Sequence, residues 1–576
     1  MRRGGALEPV DRRILGSFEI AAGDAPEGSL VRAEILRQHR WGPSQVRILE
    51  DLGPSEGPRA ASRMALALHA IPTEIPRAAE GEAARARAVR PNGREDLRDL
   101  PLVTIDGEDA RDFDDAVFAE PTQAGHRLVV AIADVGHYVR VGSALDAMAR
   151  ERGNSVYFPD LVIPMLPEAL SNHWCSLRPG EPRGCLFVEM TIDALGNKTG
   201  HRFGRGIMQS HARLTYEAAQ RIAVAGTDPR VGALFAAWRA LEHARERRGA
   251  LDLDLPEREA LMAEEGGVLE IRHRERLDSH RVIEAFMVLA NVAAAEELTL
   301  RRAPCVFRVH APPSPEKLDN LRATLKTFDI RLPAGGHLHP RDIDRVLRAS
   351  AALPEASMIH ESVLRSLSRA EYAVDNIGHF GLALAAYAHF TSPIRRYADL
   401  LVHRALIAAI GLGQDGTADA ADWGETASHI TLTERRAALA ERDAMDRLLA
   451  AYLSQQIGTV FPARISGVTR AGIFVTLETN GASGLIPLST LPHDQYRLDE
   501  ATQSLAGRHT RRRFRLADRL EALLVQAVPL TGTLTFALAG AAGDVLAGEA
   551  KHAAAKGAPP RRKHPGKRGG SRRGRT

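Results

Sequence analysis

Asp106-Gly-Glu-Asp-Ala-Arg-Asp-Phe-Asp-Asp115 sets six carboxylates (Asp106, Glu108, Asp109, Asp112, Asp114 and Asp115) against the single guanidinium of Arg111 within ten residues. Carboxylates this close repel one another and cannot all ionise in a partly buried site without a cation. Hard oxygen donors at this density suit Mg2+ or Mn2+. A dense acidic run is ordinarily a solvated loop. Here Leu102-Val-Thr-Ile105 runs in and Ala116-Val-Phe-Ala119 runs out, and both read as short buried strands. An EF-hand is excluded: its loop needs Gly at the sixth position, and counting from Asp106 that residue is Arg111. On spacing alone, metal binding is favoured over the solvated loop.

Downstream, Arg127-Leu-Val-Val-Ala-Ile-Ala-Asp-Val135 is a nearly continuous apolar run, as in the middle of a sheet covered on both faces. Asp134 ends it, and a structural role there weighs as much as a catalytic one. Tyr157-Phe-Pro159 follows, an aromatic beside a proline that alone reads as packing. Pro167 suits the first turn of a helix. In His389-Phe-Thr-Ser-Pro-Ile-Arg-Arg-Tyr-Ala-Asp399, Ser392 reads as an N-cap and Pro393 as the first helical residue. Arg395 and Arg396 then fall in the first turn, against the helix dipole, a placement that suggests a bound anion. Asp399 lies one turn on, placed to orient Arg395. Pairing of both arginines with Asp399 or solvent is the equal alternative.

Thr104-Ile-Asp-Gly-Glu-Asp-Ala-Arg-Asp-Phe-Asp-Asp-Ala-Val117 resembles the signature of the ribonuclease II and ribonuclease R family, processive 3′→5′ exoribonucleases. The stretches 157–177 and 389–404 resemble it as well. The resemblance implies an α+β RNB catalytic domain flanked by all-β OB-fold barrels, one cold-shock-like at the N-terminus and an S1 domain at the C-terminus. It implies that Asp106, Asp112, Asp114 and Asp115 hold Mg2+, with Mn2+ an alternative. Asp114 and Arg395 would carry the chemistry, and Tyr157 would pack on the 3′-terminal nucleotide. Arg396 is a further RNA-binding candidate, and Glu441 matches a family acid near the site through a loose alignment. The strand pattern from Gln456, with Gly472-Ile-Phe-Val-Thr-Leu477, has S1 spacing, with Phe474 and Arg470 as stacking and phosphate candidates. The barrel is expected to close near Arg519–Gln526 and Thr531–Ala537. One departure stands out: the family usually carries an acid where this chain has Val292, and only a packing change is expected.

The expected domains are an OB-type region at 1–76 with its first barrel missing or truncated, a helical linker at 77–96, and the catalytic domain at 97–455. The S1 domain follows at 456–542 and a basic disordered tail at 543–576. Trp41 and Phe18 are the large aromatics of the first region, few for an RNA-stacking face. The whole-chain charge of +4 conceals a split. Lys551 to Thr576 holds ten Lys or Arg and no acid, so the remainder carries 66 bases against 72 acids. Such a tail binds polyanions, here RNA or ribosomes, without reading sequence. Three cysteines without a CxxC exclude a disulfide framework and a zinc finger. They fit a reducing cytosol. No signal peptide and no membrane-spanning run are evident, and Ile283 to Ala295 reads as a buried helix. The expectation is a cytoplasmic, monomeric enzyme acting on single-stranded RNA, the alternative a non-catalytic RNA binder of the same fold. The tail and the broad pattern lean towards the ribonuclease R branch.

Overall fold

The computed structural model describes residues 2–539 apart from 4–5, 12, 15, 38–41, 253–257, 264–266, 274, 334–337, 354, 418–420 and 500–503. The basic tail and Trp41 lie outside the described residues.

The apolar run after the acidic motif becomes the strand Gly125–Ala133, central in a seven-stranded sheet. The strand order is Ala212–Thr215, Val103–Asp106, Asp115–Pro121, Gly125–Ala133, Pro182–Asp193, Lys198–Gln209 and Glu95–Leu97. Leu128 to Ala133 are all 0% exposed, so the run is apolar on both faces because both faces are covered. Burying each of Leu128, Val129, Val130 and Ile132 contributes about 1.5–3 kcal/mol. The helices Pro229–Arg248 and Asp278–Leu300 pack against this sheet. The second holds the Ile283 to Ala295 stretch, buried on its core side.

The stretch expected as a linker divides. Arg77–Ala84 is helical, but Glu95–Leu97 joins the catalytic sheet parallel to Lys198–Gln209. Arg94, just before it, meets Asp134 at 2.5 Å, and Arg205 meets the same carboxylate at 2.7 Å. Asp134 is fully buried between two guanidinium groups. Burial alone would raise its pKa, but Arg205 and then Arg94 outweigh it and hold it at about 2. The structure thus gives Asp134 a structural position.

The helix Trp423–Leu453 spans the catalytic domain and leads into the C-terminal barrel. That barrel is closed by Val460–Thr469, Gly472–Leu477, Ser483–Pro487, Thr533–Leu538 and Arg519–Val528, matching the strands expected from spacing. The N-terminal region opens on an all-β sheet, in which strands Arg2–Arg3, Ala6–Leu7, Phe18–Ala22, Ser44–Pro54 and Ser29–Arg37 pair in that order, and ends on the helix Ala60–Leu68. Among the described residues, the pairing that closes the C-terminal barrel has no counterpart here. Phe18 is buried with Leu7, Val46 and Ile48, so it serves the core and offers no stacking face. No helix among the described residues is long and apolar enough to cross a membrane.

Candidate active site

Two strand ends place the acids. Asp106 closes Val103–Asp106 and Asp115 opens Asp115–Pro121, and these strands are antiparallel neighbours. The loop between them is fastened from outside. Ser176 Oγ donates to the Arg111 carbonyl at 2.7 Å and accepts the Phe113 N–H at 3.1 Å. Leu177 N–H donates to the Phe113 carbonyl at 2.9 Å. Arg213 reaches the Glu108 carbonyl at 2.6 Å and stacks its guanidinium over Phe113 at 5.7 Å. Glu108 and Asp109 are thus carried on the outer turn, away from the buried acids.

Asp114 is 4% exposed and accepts the Ile394 N–H at 2.9 Å through Oδ1. Its Oδ2 faces Arg395 Nε at 3.5 Å and has no hydrogen-bond partner, and Asp115 Oδ2 is also buried and unpartnered. Burial raises the Asp114 pKa well above the carboxylate range, with Arg395 pulling the other way. Burial and then the neighbouring Asp106 push Asp115 to about 7, while Arg395 opposes them. Asp106 is raised chiefly by burial, with Asp112 adding to it, while the Gly107 N–H it accepts at 2.8 Å opposes the shift. Asp112 accepts the Tyr157 hydroxyl at 2.9 Å.

Among the described residues no three acidic, His or Cys groups converge in ready ligation geometry. The donor set still fits a hard divalent cation: each of the four carboxylates repels at least one of the others, and two carry buried oxygens without a hydrogen-bond partner.

This arrangement sets a pH test. The folded-state pKa of Asp115, about 7, lies above the unfolded value, about 3.9. The favourable contribution of the protonated form is therefore complete below the unfolded pKa and is lost as pH rises through the folded one. Asp115→Asn, which cannot ionise, is expected to melt above the parent at pH 8 in chelator. That advantage shrinks as pH falls to 5, as read from paired thermal melts. A pH-independent difference would remove Asp115 from the buried acidic cluster.

Arg395 comes from the second motif, and here the sequence expectation is corrected. The helix begins at Tyr397, four residues after Pro393; Pro393 to Arg395 form a turn in which Ser392 caps no helix. The reason is tertiary: Arg396 N–H still reaches the Ser392 carbonyl at 3.0 Å, but Tyr397 N–H, which a helix from Ser392 would turn back to the Pro393 carbonyl, donates to the Gly153 carbonyl at 2.9 Å; Asp114 takes the Ile394 N–H, and Asp399 the Ser392 N–H at 2.7 Å. Asp399 orients Arg396, not Arg395, accepting from Nε and Nη2 at 2.8 and 2.9 Å. Arg396, expected beside Arg395 as an RNA contact, has its charge compensated inside the protein. Arg395 donates to Ser392 Oγ at 3.0 Å and stays half-exposed towards the acids.

Tyr157 is held by the same turn. Ser155 N–H donates to the Arg395 carbonyl at 3.0 Å and Tyr397 N–H to the Gly153 carbonyl at 2.9 Å, zipping 153–155 onto 395–397. Gly153 has φ 73°, and a Cβ there would sit 1.9 Å from Thr433 Oγ1, so no other residue fits. Tyr157 N–H donates to Glu441 Oε1 at 2.9 Å, which places Glu441 behind the aromatic ring's backbone. Burial raises the Glu441 pKa, against the hydrogen bond from Tyr157. Tyr157, Arg395, Arg396 and Glu441 line one cleft of about 270 Å3. Phe474 is 40% exposed on the C-terminal barrel, and Arg470 lies in the turn beside it.

Sequence reasoning missed Glu434 and Tyr372, which line the same cleft. Arg308 makes a bidentate pair with Glu434 at 2.7 and 2.9 Å and lies over Tyr372 at 4.7 Å. Glu434 sits in a charge run that reads as a solvated helix face, so only the fold reveals it. His310 is structural, its imidazole bonded to the Ser368 carbonyl at 2.9 Å and accepting the Gly381 N–H at 3.0 Å.

Known proteins resemble this chain over most of its length. Residues 94–411 match the RNB domain and 454–520 the S1 RNA binding domain. The chain is 40% identical over 547 residues to Ribonuclease R of Escherichia coli (strain K12), covering 90% of this chain and 67% of that one. Ribonuclease R of Thermotoga maritima is 36% identical, covering 93% of this chain and 79% of that one. Among solved structures, Mycoplasma genitalium RNase R in complex with ribose methylated single-stranded RNA aligns with TM-score 0.84 and 28% identity. That alignment covers 90% of this chain and 85% of that one. Yeast Ssd1, a pseudonuclease, shares the fold alone, at TM-score 0.70 and 18% identity over 87% of this chain and 65% of that one.

Proposed function

Because the chain belongs to the ribonuclease R family, hydrolytic 3′→5′ exoribonucleases built on the RNB domain, we propose that it degrades single-stranded RNA processively. It releases nucleoside 5′-monophosphates one at a time, with Mg2+ or Mn2+ held by Asp106, Asp112, Asp114 and Asp115. The observation that carries this reading is the pair of buried, unpartnered oxygens on Asp114 and Asp115 beside Arg395. A divalent cation bound there would supply Lewis-acid polarisation of the phosphate and an activated water.

The protein's own groups do the rest. Arg395 offsets negative charge developing on the scissile phosphate, in a site where burial strengthens each interaction. Tyr157 offers its face to the terminal base and is anchored by Asp112 at its hydroxyl and Glu441 at its backbone. Phe474 and Arg470 on the S1 domain, and the basic tail, hold the strand by salt-sensitive, sequence-tolerant contacts. The three cysteines are free and buried, which suits a reducing cytoplasm.

The test is a single-stranded RNA labelled at its 5′ end, incubated with the protein in Mg2+ and in chelator. A ladder shortening from the 3′ end in Mg2+ alone is expected. RNA binding with no shortening under either condition defeats the reading. Tyr157→Ala is expected to raise KM for a short strand by about tenfold to a hundredfold, the equivalent of one lost stacking contact of about 1–3 kcal/mol. Tyr157→Phe, which keeps the ring, is expected to stay close to the parent. Equal KM values for Tyr157→Ala and the parent, from initial rates, would show that the ring does not stack.

A further inference from the structure

A second cavity, of about 720 Å3, opens between the 196–201 hairpin and the helices Pro229–Arg248 and Asp278–Leu300. It is remote from the acids. Asp115 pairs with Ile132 and Asp193 with Gly125, so the hairpin lies at the other end of the same central strand. Seven positions at about 3.3 Å each put it roughly 23 Å away.

Its two walls differ in chemistry. One face of the helix Asp278–Leu300 presents Ala285, Val288, Leu289 and Val292, at the spacing of a single helical stripe, and Leu382 and Leu384 extend it. The other side presents Arg245, Arg248 and Arg341, with Arg281 at the stripe's end. Arg245 is neutralised by Glu242 at 2.7 Å and Asp252 at 3.1 Å. Arg341 closes the end of the helix Pro229–Arg248 through the carbonyls of Arg247 and Arg248. Arg248 and Arg281 are different. Arg248 donates only to the Leu382 carbonyl, at 3.0 Å, and Arg281 Nε is buried without a hydrogen-bond partner. Neither forms an ion pair among the described residues. Burial, and then the charge of Arg245, lower the Arg248 pKa, while Glu242 opposes them; the acids of the lining, Glu242, Glu284 and Glu296, are paired with Arg245, Arg276 and Lys198.

We propose that this cavity binds a nucleotide, its phosphate on Arg248 and Arg281 and its base against the apolar stripe of 285–292. The volume is that of a small-molecule site. Guanidinium groups beside an apolar shelf suit a ligand anionic at one end and flat and weakly polar at the other. The site is separate from the hydrolytic cleft and shares no lining residue with it.

The test is calorimetric titration of the full chain with AMP, and separately with inorganic phosphate, at low ionic strength in chelator. Four proteins are compared: the parent, Arg248→Ala/Arg281→Ala, Leu289→Glu and Arg395→Ala. AMP is expected to bind the parent and Arg395→Ala alike, and to lose about tenfold or more in affinity when the two arginines are removed. Leu289→Glu places a carboxylate on the stripe and removes no arginine, so it is expected to weaken AMP to a similar degree. The proposal is overturned if AMP does not bind the parent, or if its affinity is unchanged in both cavity variants. It is also overturned if binding disappears in Arg395→Ala and survives in the other two. Phosphate binding as tightly as AMP would remove the base from the site and overturn the nucleotide assignment.

Discussion

Asp114→Asn is expected to abolish RNA shortening while leaving RNA binding unchanged and raising the thermal stability of the metal-free protein. The three outcomes share one cause. The carboxylate is 4% exposed, and burial drives its pKa well above the ordinary range, so its ionised form is disfavoured in the metal-free fold. An asparagine of nearly the same shape keeps Oδ1 as acceptor for the Ile394 N–H and removes that charge. It also removes the anion that faces Arg395 and that would face a bound cation. Loss of one group that stabilises charge in a buried site lowers turnover by about 10^2–10^3-fold. The proposed RNA contacts of Tyr157 and the C-terminal barrel are untouched. Gel-based turnover, equilibrium binding and melting in chelator read the three effects separately. Turnover within tenfold of the parent would take Asp114 out of the chemistry.

The second large effect falls on stability. Asp134→Ala leaves Arg94 without its ion-pair partner and Arg205 with Asp415 alone, at 2.9 Å. Breaking a buried pair by removing one partner costs about 3–5 kcal/mol, because the remaining charge stays buried. The folded-state pKa of Asp134, about 2, lies below the unfolded value, about 3.9. Its contribution is therefore present above the unfolded pKa and is lost as pH falls through the folded one. The penalty should thus be undiminished between pH 5 and 8. Chemical denaturation checks the size, and turnover per folded molecule at low temperature checks the role. A hundredfold loss of turnover with stability intact would make Asp134 catalytic.

Where the sequence spoke through local pattern it was informative. The strands around the acidic motif follow from alternation and burial, and the central strand from its unbroken apolar run. The barrel strands after Gln456 follow from glycine-punctuated alternation. It misled where a tertiary partner displaced a local one. Ser392-Pro393 is a sound helix-start signal, yet the Gly153 carbonyl takes the Tyr397 N–H that a helix from Ser392 would have turned back to Pro393, and the helix starts at Tyr397. Asp399 is close in sequence to both arginines, and only three-dimensional packing assigns it to Arg396. Glu434 and the arginine-lined cavity were invisible because their partners come from segments far apart in the chain. Val292, noted as a departure from the family pattern, lines that cavity.

The hydrogen bond from Ile394 to Asp114 joins residues 280 positions apart. During synthesis at about 5–20 residues per second, roughly 15–55 s separate the emergence of these two residues from the ribosome. Until the later one appears, the acids exist without Arg395, and Tyr157 lacks the turn that holds it. Glu441 arrives later still. The order in which the chain is made therefore withholds the assembled site until the segment through Glu441 has emerged.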